Sequence, residues 1–458
     1  MALARRLLAT ACAVTRTTDF AVRWSGARFF LPDVFVARFA NLGGIDPALM
    51  SAQFEGARSF ADERWVRYWE KIAADHAATA DRSLATLSAA IGLTAVSVEG
   101  LLRDDDQAVV GSLARLIEPA ASFLADRGPQ PQVDQLKRFI QGHVSSDDAA
   151  TEHLKQATIA VDSLVKMATY QTIAAWPGWS PGRMRAYRTA QRISEALVRA
   201  IAPAVGLTTE SIAVRVDGED VRGYAVFPSG ELACAAVLVT NGLDGTAQEL
   251  LFPLLKYRDR GLALVVMEMP GTYLYKQPMS GNSELIYGAM IDHLSRHPRI
   301  DGDRIGMFGL SFGGYWSTRM AATSPRLRCI VTCATPTHRS LGPHGAIGVP
   351  EVMVVAMRRT LGAANLRDLG PKLGALSLRK MYNRITVPLL IISGDADTVV
   401  DPRDSSDLAN ALPQAELRLY VGDDHCAMGH YREWMDFAFE WLRDKLAAEV
   451  PLTRTSDL

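Results

Sequence analysis

The chain reads as an α/β protein, in which an all-helical amino-terminal region precedes a mostly parallel sheet of eight strands. Three observations predict this. Apolar residues up to about position 205 recur at helical spacing. From about Ser211, short runs rich in Val, Ile and Leu alternate with helical segments, the pattern of a parallel sheet covered on both faces. The chain is also 458 residues long, which is too long for one core of ordinary size and implies a large domain plus an accessory one.

The helical region comes first. In "FADERWVRYWEKIAADH", Trp65, Trp69, Ile72 and Ala73 fall on one face. "TEHLKQATIAVDSLVKMATYQTIAAW" repeats the pattern with Leu154, Val161, Leu164 and Ala168. "DRGPQPQVDQ", Asp126 to Gln135, breaks one helix from the next. Ser180-Pro181 is a helix-start signal, and the run it opens stops at Pro203.

The strands follow. "SIAVRVDGEDVRGYAVF" reads as two strands about a turn at Gly218. Then come "AAVLVTNG", "LALVVMEMPG", "IGMFGLS", "CIVTCATP", "PLLIISGDAD" and "LRLYVGDDH", each leading into a turn and a helical segment. Two antiparallel strands and then six alternating ones is the order of an α/β-hydrolase sheet. The expected division is a helical cap region over 1–205, a catalytic domain over 206–446 and a tail over 447–458. Within the second part, 335–387 is long for one connection and is expected to add helices over the carboxyl edge of the sheet.

Composition narrows the functional classes. Apolar residues make up 48% and charged residues 22%, with a net charge of −1. With no basic stripe interleaved with aromatics, no nucleic-acid partner is expected. The five cysteines fit neither a zinc site nor a disulfide framework, so reduced thiols, no metal and a cytoplasmic location are expected. The start of the chain supplies the alternative, a targeting segment. Arg5 and Arg6 precede the apolar run Leu7 to Val14, and Ala11-Cys12-Ala13 has the small residues of a cleavage site. That run is short for a signal peptide and far below the ~20 residues that span a bilayer, so no membrane partner is expected either. The expected partner is a small hydrophobic molecule, with a homodimer left open as the assembly.

The chemistry concentrates at Gly309-Leu310-Ser311-Phe312-Gly313. A nucleophilic serine must stand clear of its own backbone, and a tight strand–turn–helix corner presents it that way. Small residues two before and two after let strand and helix pass closely. Gly309 and Gly313 are those residues, and Gly314 relieves crowding further. The helix that opens here points its amino end at the reacting centre, which favours developing negative charge. An acid is expected after the seventh strand. Asp397, fourth in Gly394-Asp395-Ala396-Asp397, is preferred over Asp395, which reads as a turn residue. A base is expected after the eighth, where His425 is preferred over His430 nearer the last helix. One oxyanion donor would be the backbone N–H of Phe312, and the second the N–H of Leu243 in the loop Thr240–Glu249, where Gly242 permits close approach. Asn241 is also a candidate for the substrate pocket, and Asn241 and Asp244 could instead shape that loop.

Other residues are candidates for the substrate pocket. His338 follows the sixth strand and is expected to overlook the serine, while His344 reads more as a solvent-facing loop residue. Tyr273, Tyr275, Trp176, Trp179 and Tyr187 are aromatic candidates for the pocket facing the cap, each with core packing as the competing reading. Glu268 ends the fourth strand and reads as a structural carboxylate, and Cys426 as a packing residue. No phosphate loop is present, because the glycine-rich corner lacks the lysine one requires.

Together, "TNGLDGT", "EMPGT", "RIGMFGLSFGGYW", "GDADTVVDP" and "GDDHC" resemble α/β-hydrolases with a helical amino-terminal cap. That group includes the fermentation–respiration switch protein, 2,6-dihydroxypseudooxynicotine hydrolase and fungal polyketide-shortening pigment hydrolases. The resemblance spans about Ile212 to Leu442 and implies Ser311 as nucleophile, Asp397 as acid and His425 as base. It implies no cofactor. The expected function is a serine hydrolase that acts through an acyl-enzyme. Its target would be an ester, or a C–C bond beside a carbonyl, in a hydrophobic, aromatic or polyketide-like substrate. Two alternatives stand beside it: an acyltransferase or cyclase using the same three residues, and a non-catalytic binding protein on the same fold.

Overall fold

A computed structural model describes residues 3–103, 107–128, 134–144, 146–230, 232–342 and 349–447. His344 and nearly all of the expected tail lie outside the described residues.

Among the described residues, every regular element from Leu3 to Ile201 is helical. The two longest, Asp62–Ala90 and Asp148–Ala175, pack along one another, and Pro181–Ile201 packs on the second of them. The spacing read from sequence explains the contact. Trp65, Trp69 and Ala73 are buried with Leu154, Val161, Leu164 and Ala168, and only Ile72 is partly exposed. Trp65 also donates its indole N–H to the Ile173 carbonyl at 2.8 Å, so the burial of its polar atom is matched by a partner. The Ser180 hydroxyl accepts the Arg183 N–H and caps the helix that Pro181 opens. One helical stretch among the described residues, Gln107–Ala125, is long and apolar enough to cross a membrane by length and composition. It is interrupted by a 3₁₀ turn over Glu118–Ala120, where Pro119 removes a backbone donor. Its Leu113, Leu116, Ile117, Phe123 and Leu124 lie in the core.

The sheet has eight strands: β1 (Leu207–Val216), β2 (Glu219–Pro228), β3 (Cys234–Thr240), β4 (Leu262–Met267), β5 (Ile300–Leu310), β6 (Leu327–Cys333), β7 (Leu389–Gly394) and β8 (Ala415–Tyr420). Their order is β1-β2-β4-β3-β5-β6-β7-β8. β1 and β2 pair antiparallel, β2 meets β4 antiparallel, and the remaining pairs are parallel. This is an α/β-hydrolase sheet. Every residue of β4 and β7 is buried, as expected for central strands with helices on both faces. The parallel register brings the carboxyl ends of β3, β5, β6, β7 and β8 to one edge. Two helices inserted after β6, Glu351–Thr360 and Leu366–Gly374, lie on that side. The first helix, Leu3–Thr15, packs against Glu351–Thr360.

Candidate active site

Ser311 is the residue between β5 and the helix Phe312–Thr323. Its backbone has φ 55°, a conformation an L-residue adopts only at a cost of order 1–3 kcal/mol. Its N–H donates to the Cys333 carbonyl at the end of β6, 2.7 Å away. The glycines are sterically required. A Cβ on Gly309 would strike the Gly313 carbonyl, one on Gly313 would strike the Thr240 carbonyl, and one on Gly314 would strike the Thr335 hydroxyl.

Asp397 sits in the turn after β7 with its side chain fully buried. Its Oδ1 accepts the N–H groups of Val399 and Val400, each at 2.8 Å, so the turn fixes the carboxylate. Its Oδ2 faces the Nδ1 of His425 at 2.8 Å, and the His425 side chain is only 9% exposed. Burial opposes a charged imidazole there, but the Asp397 carboxylate and, after it, the Cys426 thiol together outweigh it, and His425 is raised well above the ordinary histidine value. The neighbouring carboxylate Asp424 joins the two loops. Its Oδ1 accepts the N–H groups of His425 and Thr398, at 2.8 and 2.7 Å. The rejected alternatives are engaged elsewhere. Asp395 is exposed and accepts the Gly422 N–H, while His430 meets Asp423 and stacks on Tyr420.

The loop after β3 runs directly against the serine. A Cβ on Gly242 would lie 2.9 Å from Ser311 Cβ and 3.3 Å from its Oγ. Phe312 is the first residue of its helix, where a backbone N–H has no partner within the helix. Leu243 and Phe312 both line the cavity that contains Ser311 and His425. Asn241 also reaches the wall, but its amide braces its own loop. Oδ1 accepts the Gly242 N–H at 2.9 Å, and Nδ2 donates to the Thr246 carbonyl at 3.3 Å.

The cavity has a volume of about 700 Å³. Its wall is drawn from the catalytic edge, from the helices Leu3–Thr15 and Asp33–Gly43, and from the inserted helices Glu351–Thr360 and Leu366–Gly374. Two pocket expectations are corrected. His338 does not line the cavity, because its ring pairs with Ser377 at 2.9 Å. The cause is Asp404, fully buried, which accepts the N–H groups of His338, Arg339 and Ser340 and draws this loop toward the helix Arg403–Ala411. Tyr273 does not line it either. It stacks on Tyr187 at 4.6 Å and donates to the Asp244 carbonyl at 2.8 Å, which places it beneath the β3 loop. The other aromatic candidates, Tyr275, Trp176, Trp179 and Tyr187, are likewise absent from the wall. Trp176 and Tyr187 join the helical region to the sheet domain through Asp244 and Glu268. Burial raises the Glu268 carboxyl to about 8, and its Oε1 accepts from Tyr187 and from the Ala247 N–H of the β3 loop. Cys426 adjoins His425 on the wall, and a hydrogen bond with the Cys333 thiol holds its own thiol below the ordinary value.

Sequence reasoning missed Arg38. From the helix Asp33–Gly43 it reaches the β3 loop. Nε and Nη2 grip both oxygens of Glu249 at 2.7 and 2.8 Å, and Nη1 reaches Asp244 at 3.0 Å. The signal was present: Arg38 interrupts an otherwise apolar helix face of Val34, Phe35, Phe39 and Leu42. Asp424 carried no signal, because an Asp-Asp-His turn does not say which carboxylate faces inward. Among the described residues, no group of three or more His, Cys, Asp or Glu side chains is placed to hold a metal ion.

Residues 139–447 match the family model described as FrsA-like esterases. The chain is similar to the esterase FrsA of Vibrio cholerae, at 24% identity over 302 residues, covering 64% of this chain and 72% of that protein. It is also similar to the 2,6-dihydropseudooxynicotine hydrolase of Paenarthrobacter nicotinovorans, at 28% identity over 260 residues, covering 55% of this chain and 69% of that one. Two solved structures share the fold. The 2,6-dihydroxy-pseudo-oxynicotine hydrolase superposes with a TM-score of 0.59 at 19% identity, covering 90% of this chain and 95% of its own. AbyA5 superposes with a TM-score of 0.57 at 22% identity, covering 69% and 95%.

Proposed function

The chain belongs to the FrsA-like esterase family and is an α/β-hydrolase enzyme, and from that premise we propose that it works as a serine hydrolase through an acyl-enzyme. Ser311 is its nucleophile, His425 its base and Asp397 the group that orients and charges the base. The observation that carries this reading is the 2.8 Å contact between His425 Nδ1 and Asp397 Oδ2, on the wall of the cavity into which the strained corner brings Ser311.

In this reading Ser311 Oγ attacks the substrate carbonyl while His425 Nε2 takes its proton. The oxyanion that forms accepts from the N–H groups of Phe312 and Leu243. Collapse breaks the bond to the leaving group, which receives the proton from His425 and departs, leaving the acyl-enzyme. Water then repeats the sequence and the free acid leaves. The same acyl-enzyme serves an ester, whose leaving group is an alcohol, or a β-diketone, whose leaving group is an enolate protonated on carbon. One relative is named a 2,6-dihydropseudooxynicotine hydrolase and not an esterase, which supports testing a second bond type beside the ester.

The test is active-site labelling. A fluorophosphonate probe is expected to modify the wild type at Ser311 and to leave Ser311→Ala unlabelled. Equal labelling of both proteins would overturn the reading. Screening both against aryl esters and β-diketones then shows which bond is cut.

A further inference from the structure

We propose that the substrate of this site carries an uncharged, saturated aliphatic body, a flexible alkyl chain or an alicyclic skeleton, and neither a flat aromatic nor a charged one. This rests on the serine-hydrolase reading above and names the class of molecule the cavity takes.

The first argument is the wall. Away from Ser311, His425 and the β3 loop, it is built mainly from branched aliphatic and thioether side chains, among them Val14, Leu42, Met353, Leu369, Leu373 and Met428, with Thr10, Ser340 and Thr398 as its hydroxyl groups. Methionine side chains adapt to irregular apolar shapes, which suits a body that bends. The aromatic wall residues among the described ones are Phe35, Phe312 and Tyr431. Each already has a ring partner: Phe35 meets Trp176 edge-on at 5.0 Å, Phe312 meets Tyr315 at 5.9 Å, and Tyr431 meets Trp434 at 5.0 Å. A flat aromatic substrate gains most from a ring stacked on it or edge-on to it. Phe312 adjoins Ser311 itself, so along the rest of the wall the rings are Phe35 and Tyr431, set among aliphatic and thioether side chains that offer a flat ring no stacking face.

The second argument is charge. Among the described wall residues the one lysine or arginine is Arg38. Its Nε, Nη1 and Nη2 all bond Glu249 or Asp244. The two carboxylates on the wall are therefore paired with the same guanidinium. An anionic or cationic substrate would lose its hydration without gaining a free counter-charge. The volume, about 700 Å³, is within the range that encloses a whole small molecule.

The test reads the pocket without assuming which bond the enzyme cuts. A series of alkylphosphonofluoridates, with arms from ethyl to dodecyl, is compared with analogues bearing a phenyl or a carboxyalkyl arm. In each, the Ser311 Oγ–P bond forms and the P–F bond breaks. Fluoride leaves and the hydroxyl proton passes to His425. Intact mass and peptide mapping follow the label on Ser311, and inactivation rate constants are compared. Each added methylene is expected to raise the rate constant about threefold until the cavity fills, so burial of three methylenes gives about 30-fold and burial of all six from ethyl to octyl about 700-fold. The phenyl and carboxyalkyl arms should lag octyl by about tenfold or more. A flat alkyl series, or faster phenyl or carboxyalkyl arms, with Ser311 labelled, would overturn this inference and leave the serine-hydrolase reading standing. Failure of every member to label Ser311 would overturn both. Two variants locate the body. Met353→Trp is expected to move the optimum to shorter arms and Met353→Ala to longer ones, and an unchanged octyl-to-ethyl ratio in a folded variant places the body elsewhere and overturns the assignment of this wall. Met353→Ala, which removes volume, decides alone if the tryptophan variant does not fold.

Discussion

At Ser311 the chain holds a left-handed backbone conformation between two collisions waiting to happen, one at Gly309 and one at Gly313. Such strain persists only where the surroundings over-determine it, here through the Cys333 carbonyl and the packed β3 loop. Ser311→Ala should therefore fold normally and lose about 10⁴-fold or more in kcat, measured on whichever ester or diketone the wild type turns over. Gly242→Ala is a finer test. Its methyl would lie 2.9 Å from Ser311 Cβ, so loop or serine must shift. An expected fall in kcat of about 100-fold, with the circular dichroism spectrum unchanged, would report a misplacement of the order of an ångström or less. The acid–base pair makes a pH prediction with a definite sign. A base must be neutral to accept a proton, and Asp397, with Cys426 beside it, raises His425 well above its ordinary value against the pull of burial. The acid limb of kcat/KM should accordingly fall at a pH above 6.5 in the wild type. Asp397→Asn removes the larger raising charge and leaves the burial and Cys426, so the limb should move to lower pH while the rate at its plateau drops. A limb that stays in place or moves up would contradict the pairing.

Among elements, the most consequential contact joins the helix Asp33–Gly43 to the loop after β3. Arg38 reaches over 200 positions along the chain to bind Asp244 and Glu249, and the Trp176 indole meets the same Asp244. The loop so held includes Leu243, whose N–H is the proposed second oxyanion donor. Arg38→Lys keeps the charge but loses the planar fork that grips both Glu249 oxygens. It should lower kcat more than it raises KM, with the fold intact. Arg38→Met leaves two carboxylates unpaired in a buried setting, which costs about 3–5 kcal/mol for a fully buried pair, and should lower the melting temperature clearly below that of the lysine variant. If the two variants lose kcat equally in proportion to lost stability, Arg38 is structural only.

The whole molecule places its cavity between three parts of the chain distant in sequence: the first helices, the sheet edge and the insertion after β6. The helix Leu3–Thr15 contributes Thr10, Ala13 and Val14 to the wall and packs on Glu351–Thr360. A chain starting after Thr15 should lose more kcat/KM on large apolar substrates than on acetate esters, because the missing wall lies away from Ser311. Equal losses on both would show that the helix supports the fold alone.

The sequence by itself determined the order of helices and strands, the serine corner, and the proposed acid and base, Asp397 and His425, in the turns after β7 and β8. Those features are local: a period, a glycine spacing and a residue's distance from the end of a strand fix them. It also carried Asn241 both as a pocket candidate and, with Asp244, as a loop-shaping residue; Asn241 lines the wall while bonding within its loop, and Asp244 is held by Arg38 from the helix Asp33–Gly43. The tertiary structure decided what faces the substrate. His338 and Tyr273 follow strands as pocket residues would, yet Asp404 pulls one loop away and the Asp244 carbonyl holds the other side chain beneath the β3 loop. Trp176, Tyr187 and Tyr273 became part of the seam between the helical region and the sheet domain, and the wall went instead mainly to aliphatic residues of the first helices and the insertion. Helical spacing identifies a buried face but not the partner that covers it. That partner is fixed only when segments hundreds of residues apart pack together.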